Sequence, residues 1–238
     1  MKKILVLAVV FSLLLASASF AYEVIDVKNG GSIKGKIKAS AKVDDPVLTI
    51  DKDTETCGKS QPARKYILSA NLEVKNAIVI VEDVQKGKAG SKADITIDNN
   101  KCYFEPFVGV GSKGAKFVIK NSDSILHNTN LGLMLQDKRQ TVYNLALPKK
   151  DQVITKDVKR TGLHAVKCDA HGWMRAYIFV AEHPYAAVTS ASGDFEIKDL
   201  LPGKYKVKIW HEGFAEVVKD VEVAAGKASD LSVTVTKK

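Results

Sequence analysis

Residues 161–174 read TGLHAVKCDAHGWM. A strand candidate, Leu163 to Lys167, runs straight into a loop that holds Cys168, His171 and Met174. Thiolate, imidazole and thioether are soft or borderline metal ligands. A loop of this length can curl so that all three face one centre. Such a centre needs a further ligand from elsewhere. The stretch KNSDSILHNTN, residues 120–130, offers His127 just after a second strand candidate, Ala115 to Ile119. Two histidines, one cysteine and a weak axial methionine form the donor set of a blue-copper electron-transfer site. The plainer reading makes Cys168 half of a disulfide with Cys57 or Cys102 and leaves His171 and Met174 as incidental neighbours.

Working outward, short β-branched runs recur on both sides of this stretch. Ile33, Gly35 and Ile37 alternate with lysines, Ile78 to Val81 is wholly apolar, Ile95 and Ile97 alternate with polar residues, and Ala176 to Val180 follows the loop. Many short strands with turn residues between them argue an all-β sandwich or barrel. Gly132 to Lys150 is less regular and reads as an excursion with room for a short helix. After His183 the texture changes. Phe195 and Ile197, then Tyr205, Val207 and Ile209, alternate with charged residues, and Ser192-Gly193 and Pro202-Gly203 supply turns. This reads as a second, smaller β-sandwich of about 55 residues, short for independent stability, so it should lean on the first.

The N-terminus carries Lys2 and Lys3, then an apolar run from Ile4 to Leu15, then small residues in which Ala16 to Ala18 or Ser19 to Ala21 suits cleavage. That pattern is a secretory signal peptide, residues 1–21, and not a membrane anchor. No later stretch is apolar enough to span a bilayer, so the mature chain has no transmembrane segment. Its formal charge is +7, the full chain's +9 less those two lysines. The excess is dispersed lysine with little arginine, unlike the clustered basic surface of a nucleic-acid binder. It reads as a solvated surface, or as one suited to an acidic partner. An exported chain meets oxidising conditions, and three cysteines leave one over. There is no Gly-x-Ser-x-Gly elbow, no His-Glu-x-x-His and no Cys-x-x-Cys-His, so hydrolytic chemistry and haem attachment find no support and no catalytic residue is assigned.

His127-Asn128 after a strand, followed by Gly162-x-x-x-x-x-Cys168-x-x-His171-x-x-Met174, resembles the cupredoxins, and the short cysteine-to-methionine loop is similar to that of amicyanin. The resemblance covers residues 30–180 loosely. It implies a Greek-key β-sandwich with one type 1 copper ion near one end, His127, Cys168 and His171 as equatorial ligands, and Met174 as the axial ligand. It implies that Asn128 hydrogen-bonds the ligand-bearing loops together. Trp173 beside the ligands would shield the metal or line an electron route. Where the family often has an aromatic, this chain has His164, which reads as a packed histidine and as a loop ligand only in a different register. Met134 is a rival axial ligand, although a packing role suits it better. Cys57 and Cys102 both lie in the longer N-terminal half and can pair with each other, which leaves Cys168 as the free thiol a copper site requires. The stretch from Ala187 to Phe214 resembles the carboxypeptidase regulatory-like, or transthyretin-like, sandwich, with Phe195 and Tyr205 as core; His183 and His211 read as structural.

The expectation is therefore a signal peptide (1–21), a cupredoxin-like domain (22–182) and a regulatory-like sandwich (183–238). The function expected is one-electron transfer in the periplasm or outside the cell, without enzymatic activity, to a redox partner protein with an acidic surface. The alternatives are a non-redox envelope protein binding carbohydrate or another protein, and a periplasmic copper-delivery protein.

Overall fold

Period-two alternation sets the faces of the strands. In the Gly31–Ala39 strand, Ile33, Ile37 and Ala39 are buried while Lys34 and Lys38 are exposed. The computed structural model describes residues 22–136 and 138–238, and in them strands dominate; the one helix is the single turn Thr54–Cys57. The signal peptide expected at residues 1–21 lies outside the described residues.

Two β-sandwiches share the chain. In the first, a four-stranded sheet orders Val153–Asp157, Lys116–Asn121, Ile95–Asn100 and Tyr103–Glu105. It faces a five-stranded sheet of Lys138–Leu147, His127–Leu135, Gly162–Lys167, Arg175–Ala181 and Val108–Ser112. Each sheet contains one parallel pair, so each is mixed. Ile95, Ile97, Phe104, Phe117 and Ile119 from one sheet pack with Leu131, Val166, Ala176, Ile178 and Val180 from the other.

The second sandwich does not begin at residue 183. Its sheets place Ile78–Val81 between Ala186–Val188 and Gly203–Trp210, and Gly31–Ala39 between Asp194–Leu200 and Ala228–Asp230. Ile33, Ile37, Val79 and Val81 share a core with Phe195, Ile197, Val207 and Ile209. The boundary expected at residues 182/183 is thus corrected: two central strands come from the N-terminal stretch. Size gives a reason, because a core built from about 55 residues alone would be marginal. The wholly apolar Ile78–Val81 run has the same explanation. Val79 and Val81 face this core, while Ile78 and Ile80 pack with Phe107 and Val108 at the joint between sandwiches, so both faces of the strand are buried.

The expected irregular excursion at Gly132 to Lys150 is instead the second half of a long hairpin, His127–Leu135 with Lys138–Leu147, and it carries no helix among the described residues. The second strand is a sheet edge whose alternation is confined to Tyr143, Leu145 and Leu147, which face the core, and is cut off by a bulge at Val142.

His183 and His211 are buried. The Nδ1 of His183 accepts the Tyr185 N–H at 3.3 Å, and that of His211 accepts the Gly213 N–H at 3.0 Å. Burial, helped by nearby Lys238, pushes the His211 pKa down to about 4. An unfolded histidine takes up a proton near pH 6.5, and the folded one resists until about pH 4, so acid favours the unfolded chain across that window, by about 3 kcal/mol in full. The metal-free protein should lose melting temperature steadily from pH 6.5 to 4. His211→Asn keeps an acceptor for Gly213 and cannot be protonated, so it should flatten the slope. Burial pushes His164 and His183 down as well, so some slope remains. An unchanged slope in the variant would show that His211 titrates as a free imidazole.

Candidate metal centre

Strand register brings the sequence-distant candidate ligands to one end of the five-stranded sheet. Asn130 pairs with Lys167 across the antiparallel His127–Leu135 and Gly162–Lys167 strands, which sets His127 and Cys168 at neighbouring strand ends. The chain returns at once, because Lys167 pairs with Arg175. The connecting loop is closed by two backbone bonds, Cys168 N–H to the Met174 carbonyl at 3.3 Å and Met174 N–H to the His171 carbonyl at 3.0 Å. Cys168 is a free, buried thiol, and Cys57 and Cys102 form a disulfide.

One donor atom from each of His127, Cys168 and His171 lies within 4.8 Å of the others, and all three residues are buried. The two Nδ1 atoms face each other at 3.0 Å, and Cys168 Sγ is 3.6 Å from the Nδ1 of His171. Adjacent ligands on one ion with bonds of about 2.0–2.3 Å stand about 3–4 Å apart, so these separations suit a shared cation. Burial pushes the Cys168 thiol up against the opposing pull of the Asn128 N–H, which points at Sγ from 3.3 Å.

Each imidazole is held from behind. His127 Nε2 is 2.8 Å from the Asp123 carboxylate, and His171 Nε2 is 2.8 Å from that of Asp53. A carboxylate only accepts, so each Nε2 carries the proton and each Nδ1 presents a bare lone pair. Two lone pairs facing at 3.0 Å repel unless a proton or a metal ion lies between them. Burial pushes the His127 pKa down, with Asp123 opposing, so a stored proton is disfavoured there. The donor set therefore fits a soft or borderline metal ion.

The remaining expected residues fall as follows. Asn128 accepts the Asp169 N–H on its side-chain oxygen at 3.2 Å, which links the His127 strand to the cysteine loop. The half-buried Trp173 lays its ring 5.0 Å from that of His171. Met174 is buried in the same cluster as Cys168. Met134 is seven residues along the strand from His127, about 23 Å away at strand rise, which removes it as a rival ligand. His164 packs against Phe117 with its Nδ1 at the Gly162 carbonyl, about 13 Å up the strand from Cys168. Asp123 and Asp53 were not foreseen. An acid four residues before His127 was a usable signal for Asp123; nothing local marks Asp53.

Fold and site together define an all-β protein of two sandwiches, one of them carrying a buried His–Cys–His cluster at its end. The model of the carboxypeptidase regulatory-like domain matches residues 174–236. Among solved structures, the chain is similar to a purple cupredoxin from Nitrosopumilus maritimus at 19% identity and a TM-score of 0.32, covering 37% of this chain and 99% of that one. It is similar to a single-site mutant of amicyanin, in its reduced Cu(I) form, at 18% identity and a TM-score of 0.32, covering 43% and 97%. It is also similar to a Cu-containing nitrite reductase from Thermus scotoductus at 17% identity and a TM-score of 0.31, covering 39% of this chain but only 23% of that one. At these scores the likeness carries no residue role across. No curated protein matches.

Proposed function

We propose that the protein is an exported type 1 copper protein that carries single electrons. The observation that carries this is the convergence of two bare Nδ1 atoms and one thiol sulfur in a buried cluster, with both imidazoles pinned from behind. His127, Cys168 and His171 would hold the ion, with the buried Met174 thioether as a weaker fourth donor. Thiolate and thioether favour Cu(I) while imidazole suits both states, and bound copper supplies one-electron chemistry between Cu(I) and Cu(II). The chain's own residues keep the cluster rigid. Asp123 and Asp53 fix the ring orientations, Asn128 gives its N–H to Sγ, and the loop's two backbone bonds hold Cys168 and His171 in register. Both imidazoles are buried, His127 at 0% and His171 at 1% exposure, which suits a carrier whose ion exchanges electrons through the protein.

The signal-peptide reading and the Cys57–Cys102 disulfide support a periplasmic or secreted location. No helix among the described residues is long and apolar enough to cross a membrane. The charge excess favours a redox partner protein with an acidic face.

Copper retention separates a carrier from a delivery protein. One equivalent of copper should stay bound through repeated ascorbate reduction and re-oxidation in the presence of a competing chelator. Loss of the ion at each reduction would make delivery the function. No copper binding at all would leave a non-redox envelope protein. The role of Met174 as a donor has its own test. Met174→Gln should retain copper and lower the potential by at least about 59 mV, a tenfold shift for one electron. An unchanged potential would remove Met174 from the ligand set.

A further inference from the structure

The carboxylates behind the two histidines come from distant parts of the chain, yet both hang from one covalent bridge. Cys57 ends the single helical turn, and its N–H donates to the Asp53 carbonyl at 2.9 Å. Across the disulfide, the Cys102 N–H donates to Asp123 Oδ2 at 2.9 Å and the Lys101 N–H to Asp123 Oδ1 at 2.7 Å. Buried Gln61 straddles the bridge, giving its amide to the Cys57 carbonyl at 2.8 Å and the Lys101 carbonyl at 3.3 Å. The path His171–Asp53–Cys57–Cys102–Asp123–His127 therefore closes into a ring at the facing Nδ1 atoms.

The two anchors differ in how much else holds them. Asp123 is buried, and its own N–H is fixed by Asn121. Asp53 is exposed, with a left-handed backbone at φ 51°, a conformation that persists in a non-glycine residue only when its surroundings impose it. The bridge is the covalent tie that joins its turn to the metal-bearing sandwich.

We propose that the Cys57–Cys102 disulfide is a positioning element of the copper centre, holding in place the carboxylates that aim both ligand imidazoles. The proposal rests on the copper reading above for its metal-binding consequence, but not for its effect on the imidazoles. Cys57→Ser/Cys102→Ser should lower Cu(I) affinity, read by chelator competition, about 10–100-fold, the range seen when partners of ligand histidines are lost. Asp53→Ala alone should cost part of that loss, and it should cost less than twofold when added to the double-serine chain, because its anchor is already gone. Fully additive losses would mean that the bridge only stabilises the fold, and would overturn the proposal.

A metal-free readout uses the intact chain and stands even where the double variant does not fold. In the apo-protein, the Nε2 protons of His127 and His171 should exchange slowly with solvent. Dithiothreitol reduces the bridge to two thiols and is itself oxidised to its cyclic disulfide. That opening should speed exchange at His171 at least tenfold, and more than at His127, while core-strand amides stay protected. Unchanged imidazole exchange would overturn the proposal. A wild-type protein that binds no copper but shows the tenfold change would sink the copper reading and leave the positioning role standing.

Discussion

Expressed alone, residues 183–238 should be unfolded, with a random-coil circular dichroism spectrum and collapsed amide dispersion. The fragment lacks the strand that lies between Ala186–Val188 and Gly203–Trp210, and the one between Asp194–Leu200 and Ala228–Asp230. Val207 and Ile209 then lose Val79 and Val81, and Phe195 and Ile197 lose Ile33 and Ile37. The Leu231 backbone packs directly against Gly35, where a side chain would clash, so the Gly31–Ala39 strand is an inner strand and not an accessory edge. Below roughly 60 residues a single core is already marginal, and this piece would also leave a central gap in each sheet. A cooperative melt of the isolated fragment would show that the two N-terminal strands are dispensable, and would restore a boundary at residue 183.

The second large effect is expected at the thiol. Cys168→Ser should abolish the visible charge-transfer band of the copper-loaded protein and remove the stabilisation that copper gives. A hydroxyl stays protonated near neutral pH and supplies neither the charge nor the covalency of a thiolate. With copper at 1,000 times its dissociation constant, the wild type should gain about 4 kcal/mol of stability that the variant lacks. Compared without metal, the two should agree within about 1 kcal/mol, because a serine oxygen can still accept the Asn128 N–H that now points at sulfur. A metal-free variant that fails to fold would make Cys168 a structural residue.

Part of the His–Cys–His cluster was legible because two of its three residues, Cys168 and His171, lie close together in the sequence. Cys168 and His171 share one loop, the strand candidate Leu163 to Lys167 before it fixed its position, and His127 followed a second strand candidate. The pairing of Cys57 with Cys102 followed from an odd count and a free-thiol requirement, and the disulfide is present. Asp53 was not legible, because 118 residues separate it from His171 and no periodicity marks an acid in an exposed turn. The all-β class was legible from alternation, but the sheet to which each strand belongs was not. Ile78–Val81 announces a strand buried on both faces and says nothing of which neighbours bury it. Lys138–Leu147 is an edge strand in which only Tyr143, Leu145 and Leu147 alternate inward, and the bulge at Val142 breaks the pattern before the polar half.

We propose that His127, Cys168 and His171 hold one copper ion through a sulfur–copper bond. It is tested most directly by the absorption and electron paramagnetic resonance spectra of the purified wild-type protein carrying one equivalent of Cu(II). An intense visible thiolate-to-copper band is expected, with a copper hyperfine splitting narrowed by covalency with sulfur, both lost on reduction and regained on re-oxidation. A colourless protein, or one showing only the weak absorption and wide splitting of copper bound by nitrogen and oxygen, would contradict it.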